Sequence, residues 1–318
     1  MLNHILVPLD GSPLAECTLP HVVALARVFD AQITLLQVVS REDPDLVTDA
    51  VSPLDWQIRR AEAKAYIQDV VNRLEKLELD AEGVVLEGQA AKDIIEFAHN
   101  NDVDLIVLSS HGRSGLSEWG ISSIVQKVAL RAHVPIYIVR AYAADSEDLE
   151  GLTYRQILVP LDGSQRAECA ISAAEELSRA FDAGLLLAHV VRRPEVPRRA
   201  PLSDKERDLV ERLIEVNLDK ANQYMADVKA HSIEGTEVMV RVADSSALEL
   251  HRIVEERNVD LMVLSAHGYS GEPRWPYGSI SLNLIFYGTS ALLIVQDIAP
   301  GEIEPSQAEL ASKEKRGH

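Results

Sequence analysis

His4-Ile-Leu-Val-Pro-Leu-Asp-Gly-Ser12 returns later in the chain as Gln156-Ile-Leu-Val-Pro-Leu-Asp-Gly-Ser164. A second stretch, Val103-Asp-Leu-Ile-Val-Leu-Ser-Ser-His-Gly112, returns as Val259-Asp-Leu-Met-Val-Leu-Ser-Ala-His-Gly268. A long internal repeat decides the architecture before any single motif does. The 318 residues are enough for two separate hydrophobic cores. The sequence therefore predicts two equivalent domains in tandem.

The predicted domains cover residues 1–142 and 154–298, with a linker at 143–153. The linker is polar and acidic and has no sustained periodicity, as exposed connections do. Residues 299–318 are rich in Pro, Glu and Lys and have no counterpart in the repeat. They are predicted to form a mobile tail.

Each half alternates short apolar runs with longer amphipathic stretches, which indicates β-α-β units and a parallel sheet. Each half is thus expected to be an α/β domain with an open, mostly parallel five-stranded sheet and helices on both faces, similar to a Rossmann fold. Right-handed crossovers would bring Asp10 and His111 into one crevice. In the first half the predicted strands are His4–Pro8, Gln32–Val39, Ala81–Glu87, Leu105–Ser109 and Ile136–Val139, and the predicted helices are Ala15–Phe29, Ile58–Leu77, Ala91–Asn100 and Ser122–Ala132.

The composition excludes several classes of function. Hydrophobic residues make up 47% of the chain, as in ordinary soluble proteins. The 50 acidic residues outnumber the 31 basic ones, giving a net charge of −19. This sign disfavours binding to nucleic acid or anionic membranes. No apolar run approaches the roughly 20 residues of a membrane span, and the N-terminus does not resemble a signal peptide. We expect a cytoplasmic protein.

The cysteines and histidines show no metal-ligand pattern. Cys17 and Cys169 lie in matching Ala-Glu-Cys triplets and are interpreted as reduced, buried residues. The ten histidines lack the spacing of a zinc site. No protein metal site is predicted, so magnesium is expected only as a companion of a bound nucleotide.

An acid after the first strand and a small-residue loop after the fourth form the candidate site in each half. Asp10 and Asp162 follow Val-Pro-Leu at a strand end, where a carboxylate can accept hydrogen bonds from ribose hydroxyls. In the second half, Ser265-Ala-His-Gly268 is followed nine residues later by Gly278-Ser279. Small residues before a helix N-terminus let backbone N–H groups approach phosphate oxygens.

Over about 290 residues, these features resemble the universal stress protein family. In that family an adenine-nucleotide loop reads Gly, two residues, Gly, nine residues, Gly, then Ser or Thr. The loop acts with the early Asp and with a backbone contact at the end of the second strand. The resemblance implies an ATP or related adenine-nucleotide site in the second half, where Ser265 replaces the first glycine. The implied site residues are Pro160, Asp162, Val190, Ser265, Gly268, Gly278 and Ser279.

The first half matches the same pattern less completely. Ser109 stands at the first glycine, and Ser122-Ser123 stands where the family has Gly-Ser. The sequence therefore favours nucleotide binding in the second half. The corresponding residues of the first half are Pro8, Asp10, Val38, Ser109, Gly112, Ser122 and Ser123.

Several of these residues have structural interpretations as well. Asp10 and Asp162 suit a turn or a helix N-cap, and a structural role is favoured over catalysis for His111 and His267. No catalytic residue is assigned. Trp119 and Trp275 are weighed as lid residues over the loop or as packing anchors.

Three functions remain open from the sequence. The leading one is a non-catalytic stress-response module that binds an adenine nucleotide and acts on an unknown protein partner. The others are an interaction scaffold with degenerate nucleotide sites and a slow ATP hydrolase, although no Walker loop is present. The resemblance also implies an intramolecular pseudo-dimer that pairs through Ile136–Val139 and Ile294–Gln296, with a further homodimer possible.

Overall fold

The computed structural model describes residues 2–40, 53–112, 121–141, 148–194, 203–269 and 277–297. Within them, ten strands and nine helices alternate in two equivalent series. The strands are β1 His4–Pro8, β2 Gln32–Val39, β3 Ala81–Glu87, β4 Leu105–Ser109, β5 Ile136–Val139, β6 Gln156–Leu161, β7 Gly184–Arg192, β8 Glu237–Ala243, β9 Leu261–Ser265 and β10 Ala291–Val295. The helices are α1 Pro13–Glu16, α2 Leu19–Phe29, α3 Pro53–Glu75, α4 Ala90–Asn100, α5 Ser123–Arg131, α6 Gln165–Phe181, α7 Asp204–His231, α8 Ser246–Glu256 and α9 Ser279–Tyr287.

The ten strands form one continuous sheet in the order β3-β2-β1-β4-β5-β10-β9-β6-β7-β8. Pairing is parallel within each half, and β1 lies beside β4, as β6 lies beside β9. The predicted five-stranded parallel sheets are confirmed. The strand order reverses between β1 and β4, which places the carboxyl ends of these strands around a crevice.

The two halves join through an antiparallel ladder between β5 and β10, in which Leu292 pairs with Ile138 and Ile294 with Ile136. The predicted pairing of the last strands is thus confirmed, with a shift in its range. Gln296 lies beyond β10, where its side-chain amide donates to the carbonyl oxygen of Val134 at 3.4 Å. We call the β5–β10 ladder the seam. It turns two edge strands into interior strands, which removes exposed hydrogen-bonding edges.

The first helix differs from its prediction. One helix was expected over Ala15–Phe29, but the chain forms α1 and α2 with a break at Cys17 and Thr18. Pro20 lies in the first turn of α2, and a proline cannot continue a helix that has already begun because its ring clashes with the carbonyl four residues earlier. The second half has Ser172 at this position, and α6 runs without interruption. The Thr18 hydroxyl donates to the Ala15 carbonyl at 2.8 Å and closes the break.

Hydrophobic cores lie on both faces of the sheet and run through both halves. Alternate residues of β1 show the division: Ile5 and Val7 belong to one core, and Leu6 belongs to the other. All three side chains are fully buried. Complete burial of such a side chain stabilises a fold by roughly 1.5–3 kcal/mol. The sheet is therefore a rigid platform that fixes the loops at its carboxyl edge.

Polar contacts also cross between the halves. Arg140, just after β5, is 2% exposed, and its guanidinium donates to the carbonyl oxygens of Leu284 at 2.7 Å and Ile285 at 3.0 Å. These carbonyls belong to the last turn of α9, so an arginine of one repeat caps a helix of the other. On the other face of the sheet, the Tyr137 and Tyr154 hydroxyls lie 2.8 Å apart, and each approaches Nδ1 of His21.

Both cysteines are unpaired, as predicted; Cys17 is buried and Cys169 half-buried. Burial raises the pKa of both thiols. The predicted linker is described only from residue 148, and this part contains no helix or strand. The predicted tail lies outside the described residues.

Candidate functional site

A cleft opens at the carboxyl edge of the second half, between β6, β7 and β9 and the helices α6, α8 and α9. All seven residues predicted for this half line it. They share the cleft with apolar side chains from the strands and helices around them. The lining residues are Pro160, Leu161, Asp162, Ala167, Ala188, Val190, Ser246, Leu250, Leu264, Ser265, His267, Gly268, Gly278, Ser279, Ile280 and Ser281.

Asp162 holds the turn between β6 and α6. Its Oδ1 accepts the backbone N–H of Ser164 at 3.0 Å and the Ser164 hydroxyl at 2.6 Å, and its Oδ2 accepts the N–H of Tyr269 at 2.6 Å. Asp10 accepts the Ser12 N–H at 3.0 Å in the same way. The turn interpretation of these acids therefore has direct structural support. Oδ1 of Asp162 accepts two of these bonds, whereas Oδ2 accepts one and keeps a lone pair for a ligand.

The N-cap role falls on the serines two residues later. Ser12 caps α1 and Ser164 caps α6, each with its hydroxyl accepting a backbone N–H of the first turn. In each Asp-Gly-Ser sequence, the Asp carboxylate therefore stabilises the turn and the Ser hydroxyl caps the helix.

Gly112 and Gly268 lie so close to Asp10 and Asp162 that there is no room for a side chain at either position. A Cβ at Gly268 would collide with Oδ2 of Asp162, and one at Gly112 would collide with Oδ2 of Asp10. The predicted juxtaposition of the first and fourth strand ends is therefore present in both halves. Glycine at these positions lets the loop after the fourth strand pack against the turn after the first.

Ser109 and Ser265 replace the first glycine of the family pattern, and their hydroxyls are used within the protein. The Ser265 hydroxyl donates to the carbonyl oxygen of His267 at 2.6 Å. The Ser109 hydroxyl donates to the carbonyl of Leu14 at 2.6 Å and accepts from the Cys17 thiol at 3.5 Å. Both serines are buried at the ends of their strands. Each therefore supports the loop through a bond that glycine could not make.

Ser122 and Gly278 occupy the same position at the N-termini of α5 and α9. Their backbone angles agree, with φ −71° and ψ 159° for Ser122 and φ −69° and ψ 164° for Gly278. The N–H of each donates to a carbonyl of the loop after the fourth strand, Ser110 or Ala266, at 2.8 Å. Ser123 and Ser279 then begin the two helices.

The two helices differ in their caps. The Ser122 hydroxyl accepts the N–H of Val125 at 3.3 Å, whereas Gly278 offers no side chain to the first turn of α9. The second half therefore presents backbone N–H groups that no N-cap side chain engages. Such groups carry partial positive charge and suit an anion.

The remaining predicted residues lie where the pattern requires them. Pro8 and Pro160 are half-buried near the ends of β1 and β6, and Val38 and Val190 are half-buried near the ends of β2 and β7. Trp119 and Trp275 lie outside the described residues.

His267 and Asp297 form a buried pair that sequence reasoning missed. Nδ1 of His267 lies 2.8 Å from Oδ1 of Asp297, and their side chains are 3% and 1% exposed. Burial alone raises the pKa of the Asp297 carboxyl, but the hydrogen bond and charge attraction from His267 outweigh it and leave this pKa below its usual value. The buried contact supports the structural interpretation of His267. A signal existed in the repeat, because Ala141 stands at the position of Asp297 in the first half.

His189 lies beside the cleft near the end of β7. Burial lowers the pKa of its ring, although Asp162 and the backbone of Leu161 act in the opposite direction. The ring packs edge-on against Tyr224 with centroids 6.1 Å apart. This environment is that of a half-buried structural residue.

Two features are absent from the described residues. No group of three or more His, Cys, Asp or Glu side chains there could hold a metal ion. No helix there is both long and apolar enough to cross a membrane.

The sequence profile of the Universal stress protein family matches residues 1–140 and 153–296. This chain belongs to the universal stress protein family. Universal stress protein MJ0531 of Methanocaldococcus jannaschii is 28% identical over 141 residues, covering 44% of this chain and 83% of that protein. YxiE of Bacillus subtilis, another universal stress protein, is 31% identical over 150 residues, covering 44% of this chain and 100% of its own. Each relative thus corresponds to about one half of this tandem universal stress protein.

Solved structures match both halves together. A universal stress protein of Archaeoglobus fulgidus covers 94% of this chain and 100% of its own, with a TM-score of 0.62 at 20% identity. A functionally unknown protein of Pseudomonas aeruginosa, PA1789, covers 98% of each chain with a TM-score of 0.67 at 16% identity. These similarities show the fold.

Proposed function

We propose that this universal stress protein is a non-catalytic stress-response module that binds ATP or another adenine nucleotide in its second domain. One observation carries the proposal. The seven residues of the family's nucleotide pattern converge on a single cleft, beside a helix N-terminus whose first turn has no side-chain cap. The family membership of the chain supports the same reading.

The cleft offers different surfaces to the parts of a nucleotide. Ala188, Val190, Leu250, Leu264 and Ile280 give it an apolar wall suited to a base. Asp162 would accept hydrogen bonds from ribose hydroxyls. Backbone N–H groups at Gly268 and in the first turn of α9 would hold phosphate oxygens, whereas the N–H of Gly278 already donates to the Ala266 carbonyl. Magnesium would enter with the phosphates.

The first domain is the weaker candidate, because the Ser122 hydroxyl already satisfies an N–H at the start of α5. That observation favours a second function for this half, as a scaffold that contacts the second domain and a protein partner. In the proposed module, nucleotide in one half would change which partner the whole chain binds. We place the protein in the cytoplasm, where adenine nucleotides are abundant.

Isothermal titration with ATP, ADP and AMP, with and without magnesium, tests the proposal. Asp162→Ala combined with Gly278→Val removes the ribose acceptor and fills the phosphate end of the cleft. Asp10→Ala combined with Ser122→Val makes the matched change in the first domain. We expect micromolar binding by the wild type, a loss of at least about tenfold in the second-domain variant, and little change in the control. Absence of binding by the wild type at millimolar nucleotide would leave the scaffold function.

A further inference from the structure

Asp297 connects three parts of the second domain. Its Oδ1 accepts both the backbone N–H of His267 at 3.1 Å and the ring nitrogen Nδ1 at 2.8 Å. Its Oδ2 lies 3.6 Å from Nε of Arg166, in the first turn of α6. Asp297 itself follows β10, the strand that forms the seam. One buried carboxylate thus links the loop that carries Gly268, the helix after Asp162 and the end of the last strand.

The first domain anchors its histidine in another way. The Ser110 hydroxyl lies 3.1 Å from Nδ1 of His111 and accepts the backbone N–H of Ala141 at 3.0 Å. In the second domain Ala266 replaces Ser110, and Asp297 replaces Ala141. The two changes compensate each other. The group bonded to the histidine ring lies in the loop in the first domain and after the last strand in the second.

The exchange adds a charge to the second domain alone. Leu14 stands where the second half has Arg166, so the first domain has neither member of the Arg166–Asp297 pair. Burying a carboxylate is unfavourable unless partners compensate. A neutral serine anchor serves the first domain, so holding the ring does not by itself require a charge.

The anchored segment is part of the candidate nucleotide site. His267 and Gly268 both line the cleft. Gly268 packs so closely on Asp162 that a Cβ would collide with its carboxylate. The position of the segment from His267 to Gly268 therefore sets the distance between the loop and the proposed ribose acceptor. Groups that hold a binding loop in its bound geometry raise affinity by lowering the ordering cost.

We propose that Asp297 is a positioning residue for nucleotide binding in the second domain. It holds His267 and the start of α6 together, so that the loop carrying Gly268 is preorganised beside Asp162. The inference rests on the proposed function and deepens it, because it names a residue that holds the binding loop of the second domain in place.

Three variants test the role, with ATP as the probe. Asp297→Ala removes the anchor, and Asp297→Asn keeps its shape without the charge. Ala266→Ser with Asp297→Ala transplants the anchor of the first domain. The control is Ser110→Ala, which loosens the histidine of the first domain only. Titration gives the Kd for ATP, and thermal unfolding shows whether each variant is folded. Ring ¹⁵N spectra of labelled histidines report the environment of the His267 ring. The His267 signals are assigned as those that disappear in His267→Gln.

We expect Asp297→Ala to weaken ATP binding by about tenfold or more and to move the His267 ring signals. The transplanted anchor should recover affinity to within about threefold of the wild type. Ser110→Ala should leave the Kd unchanged.

A folded Asp297→Ala protein with wild-type affinity would overturn the inference. So would a transplant that stays as weak as Asp297→Ala, because the loss would then not come from anchoring His267. If Asp297→Ala does not fold, Asp297→Asn carries the test, and an unchanged Kd despite moved His267 ring signals refutes the role. Failure of the wild type to bind ATP would instead refute the proposed function, and this inference with it.

Discussion

At the scale of single residues, the glycines of the family pattern occupy their positions for different physical reasons. Gly268 is needed for space, because a Cβ there would meet the Asp162 carboxylate. Gly278 has ordinary backbone angles, and a Cβ there would meet only normal contacts, the nearest at 3.6 Å. The serines at 109 and 265 use their hydroxyls to hold the loops. A glycine missing from a motif therefore does not by itself show that a site has decayed.

This distinction predicts opposite outcomes for two alanine substitutions. Gly268→Ala should destabilise the protein by roughly 1–3 kcal/mol, because either the loop or the Asp162 carboxylate, with its hydrogen bonds to Ser164 and Tyr269, must move. Gly278→Ala should change stability by less than about 0.5 kcal/mol. Urea unfolding measures both, and equal stabilities for the two variants would show that the close approach at Gly268 is not maintained in solution.

How far the sequence predicts the structure also depends on the range of the interactions. The sequence predicts the five strands of the first half at their observed bounds. Four of them contain buried apolar runs, as strands of parallel sheets do, whereas β3 is half-buried or exposed along its length. The helix break before Pro20 was missed, although the proline itself was the signal. Asp297 was missed for a different reason. Its partner His267 is 30 residues away, and only the fold brings the two together.

At the scale of elements, the helices after the two loops show a balance between stability and binding. Ser122 satisfies an N–H of α5 with its own hydroxyl, whereas Gly278 leaves the first turn of α9 without a side-chain cap. An N-cap serine stabilises a helix by about 1 kcal/mol relative to alanine and by a few tenths of a kcal/mol relative to glycine. The second domain lacks this stabilisation at the point where the proposed phosphates would bind.

Gly278→Ser should therefore raise stability and lower nucleotide affinity together. The backbone at 278 already has the angles of Ser122, so a serine can cap α9 without strain. We expect about 0.5–1 kcal/mol of added stability, with weaker ATP binding because the hydroxyl competes for the same N–H groups. Thermal unfolding and titration measure the two effects. Gly278→Ala adds a Cβ without a hydroxyl, and loss of affinity in that control would point to crowding instead of capping.

At the scale of the whole molecule, the seam makes two repeats into one structural unit. Both cores include residues of both halves, and Arg140 of the first repeat caps α9 of the second. The cluster of His21, Tyr137 and Tyr154 adds a polar contact where the second repeat begins. Its members have apolar counterparts in the other half, Ala173, Leu293 and Leu2. The cluster is therefore specific to the joined chain.

The cluster predicts that the stability of the joined chain falls in mild acid. Burial lowers the pKa of His21 from 6.5 to about 4. Between these values the unfolded chain binds a proton that the folded chain does not, so stability falls as the pH drops from 6.5 toward 4. At pH 5 this linkage amounts to about 2 kcal/mol.

His21→Phe should remove that part of the pH dependence, because it removes the titrating ring. The Tyr137 and Tyr154 hydroxyls can still bond to each other at 2.8 Å, so the variant is expected to fold. Urea unfolding of both proteins at pH 7.5 and pH 5 measures the difference, in which the contributions of the other histidines cancel. An equal loss of stability in both proteins would mean that His21 is accessible to protons in the folded chain. The two halves would then not be closed against each other at this cluster.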